Sequence, residues 1–298
     1  MSNEDNGSGN GNKKPVIEII EPNKTERKSD IIQHPHVTDN KRQRLRRLVL
    51  KIALLIALLI PLTFVIGAFG TKFGIWGYKF GFGFITFTAI KYLIYAGLFA
   101  GVAGLALAFV VQPRRGVFTA ILALIIPLLA MYKGLSIKNT ASRLPVIHDI
   151  TTDTEDPPVF TSAIVERRNK VDGVNTLDYF EKKDVRENTL VSVLQSKHYP
   201  KINTVNRSEK PDVIFGEALA LVRDKNWKIV TEDSDKRIIE AVDSSFWFGF
   251  KDDVIIRIRP SINGGSIIDM RSVSRVGQSD LGANAARIKK LMTGLEER

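Results

Sequence analysis

Three runs of apolar residues limit what this 298-residue chain can fold into. They are Leu48–Phe69 (LVLKIALLIALLIPLTFVIGAF), Tyr92–Val111 (YLIYAGLFAGVAGLALAFVV) and Val117–Tyr132 (VFTAILALIIPLLAMY). A hydrocarbon core about 30 Å thick takes about 20 helical residues, and the helix is favoured there because it pairs its own backbone polar groups. The first two runs reach that length. The third is shorter, so flanking residues must complete its crossing. Together they read as a three-helix transmembrane region over 41–135, with the second and third helices forming a hairpin around QPRRG.

Charge adds an orientation. The net charge is +11, but residues 1–145 contribute +12 and residues 146–298 contribute −1. A nucleic-acid reader carries its basic surface on a folded domain, so no nucleic-acid partner is expected. Lys41–Arg47 (KRQRLRR) precede the first span, and Arg114 and Arg115 join the second to the third. Basic residues collect on the cytoplasmic side, which places both segments there and the C-terminal half on the other side. Lys72, Lys79, Lys133, Lys138 and Arg143 oppose that assignment more weakly. In a bacterium the protein is then a multi-pass inner-membrane protein with a periplasmic domain in the cell envelope, and the lipid bilayer is its first partner. Residues 1–40 lack a periodic apolar face and read as a disordered cytoplasmic tail. No apolar core near Met1 marks a secretory signal.

Within the spans, Lys51 is near a helix start and can extend its ammonium to the headgroups. Lys91 reads as interfacial if the buried part of the second helix begins at Tyr92. A lysine deeper in the membrane would instead mark a path for ions, which is the reading of a small transport or channel subunit. Gly97 and Gly101 form a GxxxG pattern expected to pack inside the bundle, with homodimerisation as the second use.

Residues 136–298 read as an extracytoplasmic α+β domain. A tether occupies 134–160, and an irregular arm with one or two short helices occupies 161–210. Pro211–Asn226 has apolar residues at helical spacing, with proline at the start. Four strand-like runs follow, Trp227–Thr231, Ile238–Phe248, Val254–Arg259 and Ser266–Val276, and a closing helix spans Leu281–Glu297. The Asn263-Gly264 pair is a hairpin signal. The order predicts a four-stranded antiparallel sheet with helices packed on one face.

Strand alternation divides the sheet residues. Val254, Ile256, Ile258, Ile268 and Met270 suit a helix-covered face. Arg257, Arg259, Asp269, Arg271 and Arg275 share the opposite one, with Glu240 in a neighbouring strand. Four arginines there point to binding of an anionic small molecule, a lipid headgroup or an envelope protein, because the guanidinium fork matches carboxylate and phosphate. Two other readings stand beside it: a solvated face held by cross-strand pairs, or a face covered by 161–210 with the arginines paired to acids of that arm.

Signals for catalysis are sparse. The absence of cysteine removes disulfides and thiol chemistry. His34 and His36 lie in the tail, and His198 stands alone. His148 adjoins Asp149, with Asp153, Glu155 and Asp156 close behind, which admits a membrane-tethered hydrolase as an alternative. That run lacks the glycine and glutamate of an EF-hand loop. No catalytic residue, metal or cofactor is assigned. GQSDLG (Gly277–Gly282) has two glycines of a phosphate loop but no lysine, and its aspartate would repel phosphate. Gly277, Ser279, Asp280 and Gly282 therefore read as a structural turn and helix cap.

Several blocks carry a resemblance: IHDITTDTEDPPVF, YPKI, NWKIV, IEAVDSSFWFGFKDDVIIRIRP and DMRSVSRVGQSDLGANAARI. Over about 144–292 the chain resembles the domain-of-unknown-function 1499 family, whose members often place this domain after membrane helices. The resemblance implies that Asp252, Asp253, Arg257, Arg259, Asp269, Arg271, Ser272, Ser274, Arg275, Asp280, Asn284 and Arg287 fall in the family signature. It implies no reaction. Gln278 departs from the basic residue expected there.

Overall fold

A computed structural model describes residues 40–297; the tail assigned to 1–40 lies, apart from Asn40, outside the described residues. Helix α1 spans Lys41–Lys72. A π-helical stretch, Lys79–Ala89, runs directly into α2 (Ile90–Val110), and α3 covers Val117–Arg143. All three units are long and apolar enough to cross a membrane. The second is a continuous helix from Lys79, longer than the part from Tyr92 expected to be buried. Lys91 lies within it, exposed, with its ammonium 4.9 Å from the Tyr92 ring centroid. From Lys91 to Val110 the helix rises about 28 Å at 1.5 Å per residue, so an interfacial Lys91 is still compatible with one crossing. The stretch expected to be a tether from 134 stays helical to Arg143.

Small residues let these helices approach. A Cβ on Gly101 would fall 2.5 Å from Leu124, and one on Gly104 would fall 3.0 Å from Leu50. Gly97 lies against Pro127 and Ile56, so the GxxxG pattern packs within the bundle. At the basic end, Arg46 is buried and donates from Nη1 to the carbonyls of Val111 (2.9 Å) and Pro113 (2.6 Å). It thereby satisfies acceptors left free where α2 stops.

The C-terminal domain follows as β1 (Asp149–Thr151), α4 (Ser162–Arg168), α5 (Val191–His198), β2 (Val205–Arg207), α6 (Pro211–Asp224), β3 (Lys228–Asp233), β4 (Ile238–Ser244), β5 (Lys251–Pro260), β6 (Ser266–Ser274) and α7 (Ala283–Glu296). Its antiparallel sheet has six strands, not four. The order is β1-β6-β5-β4-β3, and β2 also pairs with β6. β1 meets Arg271–Val273 and β2 meets Ser266–Ile268, so the two lie end to end along one edge of β6. Each has only three residues, too few to show alternation.

α6 and α7 cover one side of the sheet. Ile214, Ala218, Val222, Ile288 and Leu291 join Ile256, Ile258, Ile268 and Met270 in the main core. Complete burial of each large aliphatic side chain contributes about 1.5–3 kcal/mol. The other side is covered too, which corrects the one-sided arrangement expected from sequence. Phe160 and Ile164, the latter in α4, pack with Val242, Ile255 and Val273. Residues 152–184, the end of the expected tether and the first part of the expected arm, therefore roof the face that carries the arginines.

Candidate functional site

Beneath this roof the charged side chains form three clusters, each built on one fully buried aspartate. In the first, Asp149 of β1 accepts from Arg271 Nε (3.0 Å) and Nη2 (2.8 Å) and from Lys182 Nζ (2.5 Å). Arg271 also donates to the carbonyls of Leu177 (2.6 Å) and Pro158 (3.3 Å), and its guanidinium lies 5.7 and 5.4 Å from the ring centroids of Phe160 and Tyr179. Burial alone would raise the Asp149 pKa. The adjacent Arg271 and Lys182 outweigh burial and hold it below the ordinary carboxylate value. Burial, then the Asp149 charge, pushes the Tyr179 hydroxyl upward.

The second cluster centres on Asp253 of β5. It accepts from Arg275 (Nη2, 2.6 Å) and from Arg168 of α4 (Nη1, 2.6 Å). Arg168 continues to the Asn175 carbonyl at 2.7 Å, and Asn175 Nδ2 reaches the carbonyls of Ser274 and Gly277. The arm is thus tied to the end of β6 and to the turn after it.

The third is the most open. Asp269 accepts from Arg257 Nη2 (3.0 Å), Arg259 Nη2 (2.7 Å) and Thr204 Oγ1 (2.7 Å). The Asp156 carboxylate approaches Arg257 and Arg259 at 3.0 Å each, and Asp153 is 3.7 Å from Arg259. Asp156 is 60 % exposed, and Arg259 is 40 % exposed. Nε of both arginines is buried with no hydrogen-bond partner among the described residues.

Glu240 is the remaining buried acid. It accepts from the Thr161 backbone N–H (2.6 Å) and from the hydroxyls of Thr161 and Thr231. On this face Arg168, Lys182, Arg257, Arg259, Arg271 and Arg275 meet Asp149, Asp153, Asp156, Glu240, Asp253 and Asp269. Their formal charges cancel. The positive excess read from the strands disappears because β1 and the segment after it bring Asp149, Asp153 and Asp156, which outnumber the Arg168 and Lys182 that the arm adds. Sequence reasoning grouped the five strand residues correctly on one face. It missed Asp149, Lys182 and Arg168, which lie far away in the chain and on segments without strand periodicity.

The GQSDLG stretch leads from the end of β6 into α7. Asp280 accepts from the backbone N–H groups of Gly282 (2.7 Å) and Asn284 (2.9 Å), capping α7. Ser279 Oγ accepts from Leu281 N at 3.3 Å. Gly277 (φ 92°) and Gly282 (φ 82°) take left-handed backbone conformations. On the helix-covered side, Asn284 bonds Ser272, Ser274 and the His148 carbonyl, while Arg287 bridges Asp243 and Asp252.

His148 Nδ1 lies 3.2 Å from the Gln278 carbonyl, and its Nε2 is buried without a hydrogen-bond partner among the described residues. Burial, reinforced by the Lys182 charge, lowers its pKa from 6.5. The Asp149 carboxylate is taken by Arg271 and Lys182, and Asp153 Oδ1 accepts from the backbone N–H groups of Glu155 and Asp156. Neither acid has a hydrogen bond to His148 among those the structure shows. Among the described residues no group of three His, Asp or Glu is arranged to hold a metal ion.

A comparison with curated proteins gives no match. The model of a family described as "Protein of unknown function (DUF1499)" matches residues 149–295. The match takes in β1, the arm, the rest of the sheet and nearly all of α7, and so contains all three aspartate clusters. From Asp149 to Leu295 this chain is therefore similar to the DUF1499 family, behind three helices capable of crossing a membrane.

Proposed function

We propose that this is a non-enzymatic, multi-pass protein of a bacterial inner membrane whose periplasmic domain binds an anionic group. The observation that carries the proposal is the Arg257–Arg259 pair. Two guanidinium groups converge on one buried carboxylate, while exposed Asp156, at the end of the tether segment, occupies their outer side. Asp156 stands where a phosphate or carboxylate of a ligand would bind, so the ligand has to displace it from the pair. Paired arginines suit such a ligand through planar, charge-assisted hydrogen bonds. Arg271 and Arg275 support the surface from below, since their carboxylate partners are internal. The orientation rests on Lys41–Arg47 and on Arg114 and Arg115.

The test uses full-length protein in phosphatidylcholine nanodiscs, titrated with glycerol phosphate, which shares its chemistry with free phosphate esters and with anionic lipid headgroups. Loss of one charge-assisted contact, about 1.5–3 kcal/mol, weakens binding roughly 10- to 100-fold in Arg257→Gln or Arg259→Gln. Asp156→Asn tightens it by removing a competing carboxylate. Equal binding by parent and both arginine variants, or none by the parent, overturns the proposal. Nanodiscs doped with phosphatidylglycerol then distinguish a lipid source from a soluble one. A reporter fused after Arg298 tests the orientation, and a cytoplasmic signal would reverse it.

A further inference from the structure

The turn joining β4 to β5 reads Ser245-Phe-Trp-Phe-Gly-Phe250. Turns exposed to water draw on Gly, Asn, Asp, Pro and Ser; this one is mostly aromatic. Its rings lie against the end of the first membrane-capable helix. The Trp247 centroid is 5.1 Å from that of Phe64 and 5.9 Å from that of Phe69. Phe248 and Phe250 stand 4.9 and 5.2 Å from Phe82 in the π-helical stretch. Lys72 Nζ donates to the Phe246 carbonyl at 2.8 Å. Gly249, at φ 65°, comes so close to α1 that an added Cβ would lie 3.3 Å from Lys72 Cα.

Helix α1 supplies the depth scale. A core about 30 Å thick uses about 20 residues, so a crossing that begins at Leu48 ends near Gly67. Phe64 falls inside that reach and Phe69 just beyond it. The turn therefore lies where α1 leaves the hydrocarbon. Its backbone is partly paired within the turn, Ser245 N with the Phe250 carbonyl (2.8 Å), Gly249 N with the Ser245 carbonyl (3.1 Å) and Phe250 N with Ser245 Oγ (2.9 Å), and Lys72 takes the Phe246 carbonyl, which leaves fewer polar groups to need water. Two of its rings nevertheless stay open, Phe246 at 67 % and Trp247 at 43 %, and Phe73 at 71 % joins them at the same helix end.

We infer that the β4–β5 turn is a membrane-inserted tip, with Phe246 and Trp247 touching lipid at the boundary between headgroups and hydrocarbon. Aromatic rings collect at that boundary, and continuity with the spans argues for lipid over a second protein surface. The inference requires only that α1 crosses the membrane. It is independent of which side the domain occupies and of the anion proposal. Its consequence is a C-terminal domain held against the bilayer through the sheet itself.

Because the chain has no cysteine, single cysteines give unique spin-label sites. Phe246→Cys is labelled in full-length protein in phosphatidylcholine vesicles, and collision rates with oxygen and with a water-soluble nickel chelate are compared. Leu55→Cys, midway along α1, serves as the lipid reference. Ile262→Cys, at the far β5–β6 turn and 98 % exposed, serves as the aqueous one. The expected oxygen-to-nickel ratio at 246 lies between the two references. A ratio equal to that of Ile262→Cys overturns the inference, and so does low access to both agents, which would mean that a second copy or another protein covers the tip. Should Phe246→Cys fail to fold, quenching by brominated-chain phosphatidylcholine decides: Trp247→Phe should lower the quenchable fraction of tryptophan fluorescence, and an unchanged fraction refutes lipid contact.

Discussion

Asp149→Ala is the sharpest perturbation of the domain. Asp149 is fully buried, and Arg271 and Lys182, its two partners, are only 3 % and 5 % exposed. The substitution removes the hydrogen bonds at 3.0, 2.8 and 2.5 Å and leaves two buried cations facing a small cavity. Arg271 keeps the carbonyls of Leu177 and Pro158, and Lys182 keeps that of Thr176, so neither is stripped of acceptors. What they lose is the compensating charge. Removing one partner of a buried ion pair costs about 3–5 kcal/mol, and two stranded cations that keep their carbonyl acceptors place this case near the middle of that range. At roughly 2–4 °C per kcal/mol for a domain of this size, a loss of about 4 kcal/mol lowers the melting temperature by about 8–16 °C. Full-length protein in detergent is suitable, with Trp76→Phe and Trp247→Phe in the background so that Trp227 fluorescence reports the C-terminal domain. A shift below about 2 °C would refute the reasoning. A companion variant sharpens the test. Asp149→Leu combined with Arg271→Met and Lys182→Met replaces all three charges with apolar volume and should recover most of the loss. If it melts as low as Asp149→Ala, the clusters act through geometry that apolar packing does not replace.

Other expectations follow from single sites. Gly264 and Gly265 both have positive φ, 84° and 81°, but a Cβ on Gly265 would strike the Arg207 carbonyl whereas one on Gly264 meets nothing within 4 Å; Gly265→Ala should therefore lower the melting temperature clearly more than Gly264→Ala. Gly101→Leu should disrupt the α2–α3 contact at Leu124 and lower the detergent melting point, while Gly134→Leu, with open space around it, should leave it unchanged. His148 binds its proton less readily in the fold than its ordinary value of 6.5, so the unfolded chain takes up the proton first and stability falls as pH drops through 6.5 toward the folded value. Urea unfolding across that window should show a shallower decline in His148→Leu; an identical decline would remove His148 as its source.

The membrane helices and much of the sheet were legible because their periodicity is long. The apolar runs, the alternation in β5 and β6 and the Asn263-Gly264 turn all report local physics. The start and stop at GQSDLG was legible for the same reason, since Asp280 caps within a few residues of itself. β1 and β2 escaped because three residues carry no usable period, and it is the edge of β6 that makes them strands. The helical bounds of the second unit, which run back to Lys79, come from the structure, because sequence marks only its most apolar part, from Tyr92 on.

Sequence alone determined where the chain can cross a membrane and which arginines share a sheet face, since both follow from spacing between near neighbours. Only the tertiary structure decided what those arginines do. Asp149 reaches Arg271, and Arg168 reaches Asp253, across gaps of 122 and 85 residues. The excess positive charge of an isolated strand pair becomes a closed, neutral network once β1 and the arm fold over it. The physical reason is that a buried charge must find its opposite, and no local pattern records where in the chain that opposite lies.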